Sequence, residues 1–422
     1  MTARRGQTAR DFQAALLNSE PTVTTTDPTR PDSKQAPRRQ EGMAVLALAM
    51  SAFVLNLNSN VMGALLPFLR GEFGFDDDGG AMLLAAAGAG SALGALLVAD
   101  VSRWCGRRAV LGASLSLFVL ASASHLVVGA YWPLFAVRVL SGFASGLAYA
   151  TASAAAADLA PYERRAAVMG RFNAGLFLAI PVGLPLTVWL ASLGAWQASF
   201  GLQAAVGAAA LWLSLRQVPS LPTAEVGRRL PLLKDLGVVA ALVATMLHVG
   251  SFFTVIQLAT SWLDDEGIVS KEQQVWVWVG LGALSVVGSA LFGRLADRVG
   301  KRRFVLITSG VLVVCFFALS RAWGVDYLLP IACVLAVAAA ARTGPLQALV
   351  SGLVPSEQLG ALMGLRGFCM QLGVFLFAFG AAGVGERLGF RGVLFLGAVC
   401  QAGSYLAIRI GVREPRPAPA SP

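Results

Sequence analysis

GRLADRVGKRR, Gly293 to Arg303, sets six charges into eleven residues of a chain otherwise built mostly from Ala, Leu, Val and Gly. The 422 residues are 56% hydrophobic and 13% charged, with a mean hydropathy of +0.68; a soluble domain carries about 25% charged residues. The composition reads as that of a membrane protein, and the quoted cluster as a loop between two crossings. Cys105, Cys315, Cys333, Cys369 and Cys400 have no close pairs, so they offer neither a disulfide framework nor a zinc site. A net charge of +10 would point to nucleic acid only on a soluble basic module. Lipid topology accounts for it here.

A spanning helix needs about 20 mainly apolar residues. Outward from the quoted loop the sequence predicts twelve: 43–67, 80–100, 108–129, 133–157, 167–191, 195–215, 236–262, 274–293, 303–321, 326–352, 360–383 and 391–409. The polar flanks, 1–42 and 411–422, carry too little apolar surface to offset ordering entropy and are expected to be disordered. The first flank is also too long and polar for a signal peptide. With the N-terminus placed inside, 25 of the 33 Lys and Arg fall on inner segments, five on outer loops, and three, Arg138, Arg342 and Arg366, within spans. The positive-inside rule then puts both termini in the cytoplasm. The acidic runs Phe75–Gly80 and Leu263–Gly267 land outside, and Trp132, Trp196, Trp262, Trp276 and Trp323 mark outer span ends.

Two patterns recur in order. WCGRR with Gly106 matches VGKRR with Gly300, and LAPYERRAAVMG with Pro161 matches LVPSEQLGALMG with Pro355, both at a separation of 194. Two six-helix units, 43–215 and 236–410, therefore follow each other in parallel through a linker at 216–235. The expected fold is an all-α membrane protein of twelve transmembrane helices in two pseudo-symmetric six-helix bundles.

GRLADRVGKRR resembles the G-x-L-A-D-R-x-G-R-R loop of the major facilitator superfamily, which lies between the second and third helices and often recurs between the eighth and ninth. The resemblance spans the whole apolar region. It implies a clamp between neighbouring helices in the outward-facing state: Gly293 and Gly300 for close backbone approach, Asp297 for charge pairing at a helix end, and Arg298, Lys301 and Arg302 as cationic partners. The first copy departs from the pattern. Arg103 stands where Asp297 has its counterpart, and Asp100 lies one turn earlier. By resemblance Asp158 is the carboxylate expected to meet Arg107 or Arg108; Glu163 and Glu357 follow the fourth and tenth spans. Topology marking alone is the plainer reading of the Lys and Arg.

The resemblance also implies that spans one, four, seven and ten face a central cavity. Arg138, Ser141, Ser145 and Tyr149 share one face of span four, and RVLSGFASG resembles the family's fourth-helix motif, whose Arg is implicated in proton coupling. Snorkelling of Arg138 to the outer headgroups is the alternative. Arg342 is the corresponding charge in span ten, beside Pro345. In span one Asn56 and Asn60 share a face and Asn58 points elsewhere. His248, near the middle of span seven, titrates in water close to neutral pH, as a proton carrier should, although a satisfied packing histidine is the commoner state. Gln257 is half a turn out of phase with it, so an undistorted helix aims only one of them at the cavity.

GAGSALG at Gly88–Gly94 has no strand before it and reads as close helix packing, as does the pair Gly142 and Gly146. Soluble catalytic domains have no room, so neither an enzyme nor an ATP-driven pump is expected, and no cofactor or metal. GLFLAIPVGLP partly resembles the fifth-helix motif of proton-linked exporters: Gly175, Pro181 and Gly183 fit, Ala179 replaces a Gly, and Ile180 is extra. No carboxylate lies near a span midpoint, so coupled protons would fall to His248, Asp100 or Asp158. The expectation is a monomeric, multi-pass secondary transporter of the cytoplasmic membrane that exports a small amphipathic organic compound against protons by alternating access. A carrier for organic anions held by Arg138 and Arg342, or a non-transporting sensor or assembly factor on the same fold, are the alternatives.

Overall fold

Hydrocarbon offers the backbone no hydrogen-bond partner, so an Ala- and Leu-rich chain in lipid must satisfy its own amides, and helices do so within each segment. A computed structural model describes residues 38–219, 232–266, 270–321 and 324–414. The helices are α1 (Arg38–Phe73), α2 (Asp77–Cys105), α3 (Arg107–Ser124), α4 (Tyr131–Asp158), α5 (Arg165–Leu178), α6 (Leu184–Ser192), α7 (Trp196–Gln217), α8 (Leu236–Asp265), α9 (Lys271–Val299), α10 (Lys301–Arg321), α11 (Val325–Ser351) and α12 (Leu359–Gly411). Among the described residues eleven helical stretches are long and apolar enough to cross a membrane, with α5 and α6 forming one of them. The protein is an integral multi-pass membrane protein. Most of the expected linker (220–231), residues 267–269 of the second acidic loop, Trp323, and the flanks 1–37 and 415–422 lie outside the described residues.

Two boundaries differ from expectation. The last two expected spans run together in α12, 53 residues broken only at Gly389, whose φ of 65° and ψ of −173° are non-helical. No polar loop separates them, so one glycine makes the break. The C-terminal flank begins later than residue 411: Val412 is buried and Glu414 is hydrogen-bonded to α10.

Packing relies on backbone approach rather than on bulky side chains. Gly90 and Gly94 of α2 face Val139 and Phe143 of α4, while Gly142 and Gly146 of α4 face Ala87 and Ser91 of α2. A Cβ at any of the four would stand 2.0–2.2 Å from a carbonyl oxygen. Small residues of this kind let helices in lipid touch along their backbones. The surplus Ile180 is absorbed by a π-turn, Ala179–Gly183, between α5 and α6. Pro181, inside that turn, packs against Gly282 of α9, and Gly183 makes room for Leu57 of α1.

Candidate functional site

The quoted loop sits where α9 crosses the start of α5. Gly293 makes the crossing close, since a Cβ there would lie 2.4 Å from the Ala166 carbonyl oxygen. One turn on, the Asp297 carboxylate accepts hydrogen bonds from the backbone N–H of Ala166 and Ala167 at 3.1 and 2.9 Å. These are first-turn donors without a helical partner, at the positive end of the α5 dipole. Gly300 (φ 98°) then turns the chain into α10, a conformation that side chains disfavour. Lys301 pairs with Asp297 at 2.9 Å and holds its ammonium over the Tyr162 ring. Arg302 donates to the carbonyls of Val412 and Arg409 at 2.6 and 2.7 Å. Glu414 accepts from the N–H groups of Lys301 and Arg302 at 2.8 and 3.3 Å.

The first copy makes related contacts with other residues. Gly106 turns with φ 74°. Arg108 donates to the Leu215 carbonyl at the end of α7, and Leu215 precedes Arg409 by the same 194 positions that separate Arg108 from Arg302. Arg107 forms an ion pair with Asp158 and donates to the Ser356 carbonyl. Asp158 thus supplies the charge that Arg103 displaces, and Asp100 is half-buried near the end of α2. Two expected latch members stand apart from it. Arg298 and Glu357 are exposed, because Arg298 falls on the outer side of α9 and the turn Ser356–Gln358 offers its Ser356 carbonyl rather than the Glu357 carboxylate.

Inboard of this latch lies a buried polar plug. Gln347 of α11 accepts from Asn173 of α5 at 2.5 Å and donates to Ser153 of α4 at 2.9 Å. The Tyr149 hydroxyl adjoins both amides at 3.4–3.5 Å and the guanidinium of buried Arg366.

Beyond the plug, toward the end opposite the latch, two chambers adjoin. One takes its polar groups from Asn56, Ser59, Asn60, Ser91, Ser145, Tyr149, Gln257 and Gln371. The other is walled by Phe177, Phe252, Trp262, Trp278, Phe390 and aliphatic side chains. Asn56, Leu176 and Phe253 belong to both walls. Among the described residues neither lining includes a charged one. Helices α2, α5, α9, α10 and α12 contribute besides those expected.

Of the residues expected on the path, Asn56, Asn60, Ser145 and Tyr149 line the polar chamber; Arg138, Ser141, His248 and Arg342 do not. Arg138 neither snorkels nor faces the chamber. It is fully buried and donates to the Asn58 side chain and carbonyl at 2.9 and 3.0 Å, with Asn58 in turn donating to Ser145 at 3.1 Å. Ser141 gives its hydroxyl to the Arg138 carbonyl. Arg342, also fully buried, donates to Ser309 and Ser404 at 2.8 and 2.7 Å. His248 is the packing histidine: its Nδ1 lies 3.0 Å from Gln401 Oε1 and its ring stacks on Phe252. Val249, Phe253 and Gln257 form the chamber-facing stripe of α8, and His248 is one residue, about 100°, off it.

Sequence reasoning missed Asn58, Asn173, Gln347 and Gln371. A carboxamide inside an apolar span is costly unless it finds a buried partner, so weighing every such amide, not only those in phase with span one, would have found them.

A sequence profile of the Major Facilitator Superfamily matches residues 48–320 and 240–422. The chain belongs to that superfamily. This major facilitator is 26% identical over 380 residues to the inner membrane transport protein YdhP of Escherichia coli K12, across 88% of this chain and 96% of that protein. A probable sugar efflux transporter of Pasteurella multocida is 24% identical over 296 residues, across 68% and 73% of the two chains. In fold it is similar to the proton:xylose symporter XylE bound to 6-bromo-6-deoxy-D-glucose, with a TM-score of 0.80, 15% identity and coverage of 90% and 97%. It is similar also to the human organic anion transporter TETRAN, with a TM-score of 0.71, 18% identity and coverage of 89% and 100%. It is a transporter of small molecules and not an enzyme.

Proposed function

We propose that this major facilitator is a secondary exporter of a small, uncharged, hydroxyl-bearing compound, driven by proton entry and working by alternating access. The observation that carries the reading is the polar chamber. Carboxamides and hydroxyls supply donors and acceptors there without net charge, the chemistry that satisfies a polyol and leaves an ion uncompensated. Relatives named as probable sugar efflux transporters point the same way. A carrier for anions loses its basis, because Arg138 and Arg342 are sealed in helix packing.

In this reading the chain crosses twelve times as two six-helix units, with α12 counted as two legs joined at Gly389. The latch end faces the cytoplasm, as the Lys and Arg bias requires, and the state described opens outward. Among the described residues no carboxylate lines either chamber, so the coupled proton is assigned to the latch, where protonating Asp158 removes its charge pairing with Arg107.

The test is flux of labelled neutral sugars and polyols in inside-out vesicles with an imposed pH gradient. Uptake that collapses with a protonophore, and falls at least about tenfold in Asp158→Asn at unchanged membrane insertion, is expected. Flux of organic anions alone, or no flux of any compound, refutes the reading.

A further inference from the structure

We infer that the two chambers hold one molecule between them: an uncharged polar head in the amide-lined chamber and an apolar, ring-containing body in the aromatic one. The substrate class is then an aryl or short-chain glycoside, or a compound of equivalent shape, rather than a free sugar. The inference rests on the polar chamber being the substrate site, and deepens that reading.

Two observations carry it. The linings share Asn56, Leu176 and Phe253, so the chambers lie side by side and a ligand seated in one touches residues that also line the other. Their linings differ sharply in chemistry: neutral carboxamides and hydroxyls on one side, aromatic and aliphatic carbon on the other. A hydroxyl-rich molecule leaves hydrogen-bonding groups unmet in the second, and a hydrocarbon leaves amides unmet in the first; one joined molecule satisfies both.

The test uses the full chain in lipid nanodiscs, with tryptophan fluorescence read on addition of free glucose, galactose, xylose and arabinose, their phenyl β-glycosides, and benzyl alcohol. At least one phenyl glycoside is expected to bind about tenfold or more tightly than its free sugar, through burial of the ring, and to outcompete benzyl alcohol. Ser285→Phe, which fills the apolar chamber from α9, should bring the ratio of glycoside to sugar affinity close to one. If sugars bind and their phenyl glycosides bind no tighter, the joined-ligand idea fails while the polar-chamber reading survives. If neither sugar nor glycoside binds, both fail. If benzyl alcohol binds as tightly as the glycosides, the apolar chamber is an independent site and the inference is overturned.

Discussion

Lys301 holds its ammonium 4.2 Å from the centroid of the Tyr162 ring. Residues 107 and 356, which correspond to 301 and 162 at the repeat distance of 194, make the reciprocal contact, Arg107 donating to the Ser356 carbonyl. Each repeat therefore sends a cation from the start of its third crossing onto the short turn before the fifth or eleventh. The two contacts differ in chemistry, cation over ring against cation to carbonyl, and in their carboxylates, Asp297 against Asp158.

Asp297→Ala should loosen the latch end. It removes two charge-assisted bonds to the α5 terminus and the Lys301 pair, together roughly 1.5–3 kcal/mol, or about 10–100-fold in the ratio of closed to open. Maleimide labelling of a cysteine at Ser289, buried against the Gly170 carbonyl, measures it in a cysteine-free background. Labelling within about twofold of the parent contradicts the latch.

Asn58→Leu should cost about 1–3 kcal/mol of stability by stranding a donor of buried Arg138, readable as a lowered thermal midpoint. Asn60→Leu should leave the midpoint nearly intact but weaken transport, because Asn60 lines the chamber. Equal thermal effects of the two would remove the distinction between holding the helices and meeting the substrate.

His248→Gln should change the pH profile of flux less than about twofold at every point, since the ring packs between Gln401 and Phe252 away from the chamber. Gln257→Leu, on the facing stripe, should reduce flux about tenfold or more without altering that profile. A profile displaced by the first variant would restore His248 as a proton carrier.

Gly142→Ala places a methyl 2.2 Å from the Ala87 carbonyl oxygen and should destabilise by about 1–3 kcal/mol. Gly310→Ala, with nothing within 4 Å of the new carbon, should be neutral or stabilise by about 0.5–1 kcal/mol through helix propensity. Thermal midpoints in detergent compare them directly, and a neutral Gly142→Ala would mean that α2 and α4 do not meet through their backbones.

Membrane-spanning helices and glycine seams were legible because they rest on composition and spacing, quantities the chain displays locally; the count of twelve was not, since the last two expected spans form one helix broken at a single glycine. The site was legible only in part. Arg138 and His248 carry strong chemical signals, yet whether such a group faces a chamber depends on helix phase to within one residue, as Val249 beside His248 shows. Asn58 was set aside for being out of phase with Asn56, and that offset is what aims it at Arg138. Gln347 gained no weight from its own span because its partners, Asn173 and Ser153, lie 174 and 194 positions away.

Ile180, the surplus residue swallowed by the π-turn, sets the phase of all that follows in its crossing. One residue amounts to about 100° of helix rotation, so without it α6 would present a different flank inward. Trp189, now more than half exposed, would swing through more than a quarter of a revolution, and Pro181 would leave its seat on Gly282. The extra residue thus behaves as a spacer that fixes which side of one rod meets lipid and which meets its neighbour.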